Sequence, residues 1–281
     1  MPTDSEQVRD QQRDTWDKFS AGWKKWDDDV VQWLAPFGAA MIGHAGLKPD
    51  SHVLDVAAGT GEPGLTAAAM VPAGSVTVTD LSENMLRAAA EKASARGLTN
   101  VRTAISDAGS LPFSDDTFDA VLCRFGFMFF PDIPAAIGEF ARSAKPGARI
   151  SAAVWSEPAK NAWATTVMGT IGRHVELPTS TPDAPGLFRC AAPGFMTNAF
   201  SDGGLTNIAE QIVTSEMVHE SPERYWEFMT DIAAPVVAGL TRADADTRER
   251  IRTQVLEQAR GLERDGAIRL ASAAIVVAGT V

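Results

Sequence analysis

The stretch Val53-Leu54-Asp55-Val56-Ala57-Ala58-Gly59-Thr60-Gly61-Glu62-Pro63-Gly64 constrains this chain more than any other. A buried apolar strand runs into a glycine turn, and a helix follows, opened near Pro63. Proline suits a first helical turn because its missing N–H would find no intrahelical partner there. Gly59 and Gly61 permit the tight turn and a close backbone approach to a ligand. The next apolar run, Ser75–Thr79, ends on Asp80. A carboxylate at the end of the second strand is where nucleotide-binding α/β folds hold a ribose diol. The two features together predict a nucleoside pocket.

Charge narrows the choice of nucleoside. Gly59, Gly61 and Gly64 literally spell the dinucleotide fingerprint. A pyrophosphate would sit at the helix N-terminus, drawn by free N–H groups and the dipole. Glu62 occupies that position, with Asp55 at the end of the strand. Two carboxylates repel a diphosphate and suit a ligand bearing an ammonium and a sulfonium, as S-adenosylmethionine does. Glu62 as a plain helix-start residue is the alternative, and Asp80 as turn chemistry is another.

The segment Asp55–Glu62 resembles the first motif of class I methyltransferases, in the form found in the ubiquinone/menaquinone-biosynthesis C-methyltransferase family. Thr79–Leu86 resembles that family's ribose-binding segment. Asp107–Phe113 and Phe118–Val121 resemble its adenine-side segment and fourth strand, and Lys145-Pro146-Gly147 resembles the turn into its fifth strand. These motifs span residues 50–155. The resemblance implies an α/β fold with a Rossmann-like, seven-stranded, mostly parallel sheet and an antiparallel last strand, N-terminal helices and a cap insertion. It implies S-adenosyl-L-methionine as cofactor, with Asp55, Ala57, Gly59, Gly61, Glu62, Asp80, Leu81, Met85, Asp107, Ala108 and Arg124 as contacts. Read from the residues alone, Asp107 is equally a loop cap, and Met85 is equally core.

Taken in order, the chain divides into N-terminal helices (1–48), a cofactor-binding core (49–156), a cap (157–204) and the closing part of the core (205–281). Trp16, Phe19, Trp23 and Trp26 recur at helical spacing, one aromatic stripe. Such a stripe packs on a core or roofs a site. Asp27-Asp28-Asp29 marks a helix start, with no spaced oxygen ligands for a metal. Short apolar runs at 52–56, 75–80, 101–105, 118–123 and 148–155 alternate with helical patterns at 62–70, 83–96 and 133–144, which predicts parallel βαβ units. Strands are expected at 206–218 and 267–278, with helices at 221–239 and 243–260 between them.

Cys123–Asp132 carries four phenylalanines and a methionine in six residues, Phe125 to Phe130. This run is an apolar floor for a substrate or the packing of a short helix. Quinone-methylating relatives show Phe-Gly-Leu-Arg-Asn there; Phe125-Gly126-Phe127-Met128-Phe129 lacks the polar pair, which counts against a quinone. Trp16, Trp23, Phe125, Phe127, Met128, Trp163, Met168 and Phe188 are the residues expected to face substrate. His174 and His219 are the two histidines placed to act as a general base, whereas His44 and His52 are structural by position.

A formal charge of −11 over 281 residues disfavours nucleic acid, whose binding rests on neutralising phosphates with Lys and Arg. Two distant cysteines suggest neither a disulfide framework nor a zinc site. No apolar run reaches membrane-spanning length and the first residues are polar, so a cytoplasmic protein is expected. The predicted function is methyl transfer to oxygen, nitrogen or carbon of a small, largely apolar, aromatic metabolite. A homodimer is compatible with the sequence. A cofactor-holding pseudoenzyme and an NAD(P)-dependent oxidoreductase are the alternatives.

Overall fold

The computed structural model describes residues 4–177 and 184–281. The part of the cap expectation that falls on 178–183 lies outside the described residues. Two helices, α1 (Asp4–Lys25) and α2 (Asp27–Ala45), precede the alternating core. That core runs β1 (His52–Val56), α3 (Gly64–Met70), β2 (Ser75–Asp80), α4 (Glu83–Ala95), β3 (Val101–Ile105), β4 (Phe118–Arg124), α5 (Ile133–Ser143) and β5 (Ala144–Trp155). Then follow α6 (Ala162–Gly172), α7 (Phe195–Asp202), β6 (Thr206–His219), α8 (Pro222–Ile232), α9 (Ala234–Thr241), α10 (Ala245–Arg260), β7 (Glu263–Arg264) and β8 (Ala267–Thr280).

One sheet holds every strand, in the order β3-β2-β1-β4-β5-β8-β6. β1 to β5 pair in parallel, and β8 runs antiparallel between β5 and β6. Consecutive crossovers run outward from β1 in one direction up to β3, and β4 returns to the other side of β1. The strand order therefore reverses at β1 and β4, where open α/β sheets leave a crevice at the carboxyl ends. β1, β2 and β4 are largely buried because helices cover both faces, and their Val- and Leu-bearing segments follow from that.

Three local features depart from the sequence reading. The helix after the glycine turn begins at Gly64, with Pro63 as the residue before it. A Cβ on Gly64 would stand 2.7 Å from Val78 Cγ1 and 2.8 Å from Asp55 Oδ2, so only glycine lets α3 lie this close to the sheet. The helix expected over 221–239 is two helices broken at Ala233, because Pro235 has no N–H to continue the ladder. The two-residue β7 adds an eighth strand, joined to β8 through Asp265 and Gly266, both at positive φ. An Asp-Gly pair suits such a hairpin, but two residues are too short to show strand alternation.

Candidate active site

At the switch point a cavity of about 440 Å³ opens above the carboxyl ends of β1, β2, β4 and β5. Its roof comes from α1 and from the α8–α9 corner, and α6 closes one side. The glycine turn sets its geometry. Ala57, Gly59 and Gly61 have φ of 55°, 55° and 105°, so the chain doubles back directly after β1. Asp80 fixes this turn from the next strand. Its Oδ2 accepts from the Gly59 N–H at 2.9 Å and its Oδ1 from the Ser82 N–H at 2.9 Å. Burial pushes the Asp80 carboxyl up, against the backbone N–H bonds that favour its ionised form.

The N-terminus of α3 is closed by the chain's own carboxylates. Gly64 N–H donates to Asp55 Oδ2 at 2.7 Å, Leu65 N–H to the Gly61 carbonyl at 2.8 Å, and Thr66 N–H to Glu62 Oε2 at 3.1 Å. Glu62 also pairs with Arg96 Nη1 at 2.5 Å. Burial works against the Glu62 carboxylate, yet the Thr66 and Arg96 hydrogen bonds hold its pKa below the usual value. Asp55 is fully buried and does not line the cavity. Burial pushes its carboxyl up to about 8, further than the Gly64 bond pulls it down. The expectation of two free anions facing a ligand is therefore corrected: both carboxylates cap α3, and of the two only Glu62 reaches the cavity wall.

At the far end of the turn, Leu81, Met85, Asp107 and Ala108 line the cavity. Asp107 caps its own loop, with Oδ1 accepting from Gly109 N–H at 3.0 Å, while Oδ2 meets Arg9 Nη1 of α1 at 3.4 Å. Ala57, Gly59, Glu62 and Asp80 line it too, whereas Gly61 packs away against Leu65 and Ala89. Arg124, at the end of β4, also lines it. Its guanidinium senses Asp55, Glu62 and Asp27 through charge, and hydrogen-bonds to none of them.

The other half of the cavity is apolar. Trp16, Trp23, Phe125, Met128 and Trp163 face it, as the sequence suggested. Phe127 and Phe188 do not. Residues 127–129 form one tight 3₁₀ turn, so Met128 and Phe129 face the cavity and Phe127 points to the opposite side. There Phe127 packs on Phe130, Phe140 and Phe200. Phe188 packs against the core, and its neighbour Leu187 lines the cavity instead. Met168, expected to face substrate from the cap, lines it as well; sequence reading missed Trp33, Trp155 and Met229, which complete the wall. Trp155 ends β5 and Trp33 sits on α2, so strand-end position alone pointed to the first, and no signal pointed to the second.

No histidine lines the cavity among the described residues. His174 lies two residues beyond the end of α6 and bonds Gln254 at 2.9 Å. His219 is buried among Trp26, Tyr225 and Phe228, with no partner on either ring nitrogen among the described residues. Burial pushes its pKa down to about 4. The structure thus places both general-base candidates away from the cavity. His44 bonds Gln211 and His52 bonds Ser75, consistent with structural roles.

A family model described as a methyltransferase domain matches residues 53–147, the span from β1 into β5. An uncharacterised protein of Mycobacterium tuberculosis is 32% identical over 200 residues, which is 66% of this chain and 68% of that protein. The chain belongs to the S-adenosylmethionine-dependent methyltransferases. The demethylmenaquinone methyltransferase of Thermus thermophilus is 38% identical over 141 residues, 48% of this chain and 64% of that one. The crystal structure of a SAM-dependent methyltransferase from Aquifex aeolicus shares the fold, with a TM-score of 0.51 at 23% identity over 68% of this chain and 90% of that chain. S-Adenosylmethionine is the cofactor, and the protein is a class I enzyme resembling the ubiquinone/menaquinone C-methyltransferases. No helix among the described residues is long and apolar enough to cross a membrane.

Proposed function

We propose that this methyltransferase acts on a small, largely apolar, aromatic acceptor held in the half-cavity walled by Trp23, Phe125, Trp155 and Trp163. One observation carries the reading: the polar lining residues come from α1, the glycine turn and the ends of β2 to β4, while the wall built by α2, β5, α6 and the α8–α9 corner is apolar. Cavities of that kind bury most of a small ligand and orient it through few polar groups.

Asp80, already bridging the glycine turn, keeps a second lone pair on each oxygen for a ribose diol. Asp107 and Ala108 stand at the adenine end, between Leu81 and Met85. Arg124 is the cation for the methionine carboxylate, since its guanidinium has no hydrogen-bonding partner among the described residues. The bound cofactor supplies an electrophilic methyl group. The protein's task is alignment and the exclusion of water, which α1 and the α8–α9 corner perform as a roof with α6 at one side. The described residues of the N-terminal part (4–48) and of the cap (157–177 and 184–204) act together as this covering layer on the sheet.

A dinucleotide fits poorly. The Gly64, Leu65 and Thr66 N–H groups that would receive a phosphate are already bonded inside the chain. The net acidity likewise disfavours a nucleic-acid acceptor. Calorimetry tests the reading: S-adenosylhomocysteine should bind and NAD(P)H should not. Binding of NAD(P)H in place of the thioether nucleoside would sink it.

A further inference from the structure

We infer that the acceptor atom is an uncharged nitrogen of low basicity, an arylamine or a ring nitrogen, that acquires its positive charge inside an aromatic cage. This deepens the methyltransferase reading and rests on it.

Two aromatic clusters wall the acceptor half of the cavity. On the roof, Trp16 meets Trp23 at 6.0 Å and Phe129 at 5.4 Å, both edge to face. On the opposite wall, Phe125 stacks on Trp155 at 4.0 Å, and Trp155 meets Trp33 at 5.4 Å and Trp163 at 4.8 Å. All of these rings line the same space. Ring faces carry negative potential, so such walls attract cations and repel anions.

Among the described residues the half-cavity also lacks proton-transfer groups. Beyond the rings it is lined by Met168, Met229, Ile232, Pro235 and Val236. The lining carboxylates lie at the cofactor end, where Glu62 and Asp107 are engaged with Arg96 and Arg9, and Asp80 with backbone N–H groups. Among the described residues all four histidines lie outside. An alcohol or a carbon acid would need a base here. A phenolate or carboxylate would be an anion buried against π faces. A neutral nitrogen needs neither base nor counter-cation.

The step balances without either. The nitrogen lone pair forms the N–CH₃ bond as the C–S⁺ bond breaks, and that bond's electron pair goes to sulfur. The positive charge passes from sulfur to nitrogen and stays between the same rings. A nitrogen that carries hydrogen gives that proton to water once the product leaves.

The test uses the whole protein saturated with S-adenosylhomocysteine. Calorimetry compares N-methylquinolinium, the uncharged isostere 1-methylnaphthalene and the anion 1-naphthoate. The cation should bind about tenfold tighter than the neutral isostere, the scale of a desolvated cation–π contact, and the anion weakest. Trp16→Leu should remove much of that preference while leaving the nucleoside affinity unchanged; Trp163→Phe, which keeps a ring, should retain it. With S-adenosylmethionine, quinoline should be methylated faster than 1-naphthol or benzyl alcohol. Equal or weaker binding of the cation, or no binding of any of the three, overturns the proposal, as does faster turnover of 1-naphthol. If S-adenosylhomocysteine itself fails to bind, the methyltransferase reading falls and this one with it.

Discussion

The Asp55 carboxylate accepts the Gly64 N–H at 2.7 Å, and this single contact joins the end of β1 to the start of α3 beneath the glycine turn. The aspartate of the first motif therefore acts on the cofactor site from behind, by holding the helix that the turn leads into. The same contact explains why glycine stands at 64, since a side chain there would displace the carboxylate.

Substitution at Asp55 should separate the hydrogen bond from the charge. Asp55→Ala leaves a buried N–H unpaired and should cost about 1–3 kcal/mol. Asp55→Asn keeps an acceptor and should fold nearly as well. The sign with pH follows from a carboxyl raised from 3.8 to about 8. Its contribution is complete below the unfolded value and is lost as pH rises towards 8. Urea unfolding at pH 5 and pH 8 should therefore show the Asn variant gaining on the parent at the higher pH.

Asp80 is expected to carry cofactor affinity. Asp80→Ala should lose about 1.5–3 kcal/mol of S-adenosylhomocysteine binding, the range of charge-assisted hydrogen bonds. Titration calorimetry reads this, with a melting curve to show that the fold survives. An unchanged dissociation constant in a folded variant would mean that Asp80 serves only the Gly59 turn.

His219 should make the fold acid-sensitive. Its pKa falls from 6.5 to about 4 on folding, because burial opposes the imidazolium. Stability from the neutral ring is present above 6.5 and is lost as pH falls towards 4. The full loss is about 3 kcal/mol at 1.36 kcal/mol per pKa unit. His219→Phe fills the same aromatic nest beside Trp26 and Phe228 and should flatten stability between pH 6.5 and 4. A parallel slope in parent and variant would assign the acid sensitivity elsewhere.

Arg96→Ala should destabilise more than the double variant Arg96→Ala/Glu62→Gln. The single change strands a Glu62 carboxylate that is only 5% exposed, and an unpaired buried charge costs more than its removal with its partner. Chemical denaturation of the two variants gives the comparison directly. The expected gap is about 1–3 kcal/mol, the desolvation cost of one unsatisfied group.

Much of the core was legible in order. The apolar runs at 52–56, 75–80 and 101–105 are strands within those bounds, because each is short and punctuated by turn residues; the first two are largely buried, and the third is the exposed edge of the sheet. Phe127 and Phe188 show the limit. An unbroken greasy run has no periodicity that tells a cavity face from a packing face, and one 3₁₀ turn sends Met128 and Phe127 in opposite directions. Glu62 shows another: its acidity was plain in the sequence, but Arg96, 34 positions away, neutralises it.

The sequence by itself determined the βαβ alternation, the glycine turn and the placing of Asp80 at the end of the second strand, because these depend on local periodicity and on backbone freedom at particular residues. Tertiary structure alone decided which groups are free to meet a ligand. Asp55 and Glu62 are spent on closing α3, His174 and His219 are carried to other surfaces of the core, and Trp33 and Trp155 are brought from distant segments to one wall. A side chain's availability depends on partners far away in the chain, and no short-range pattern contains them.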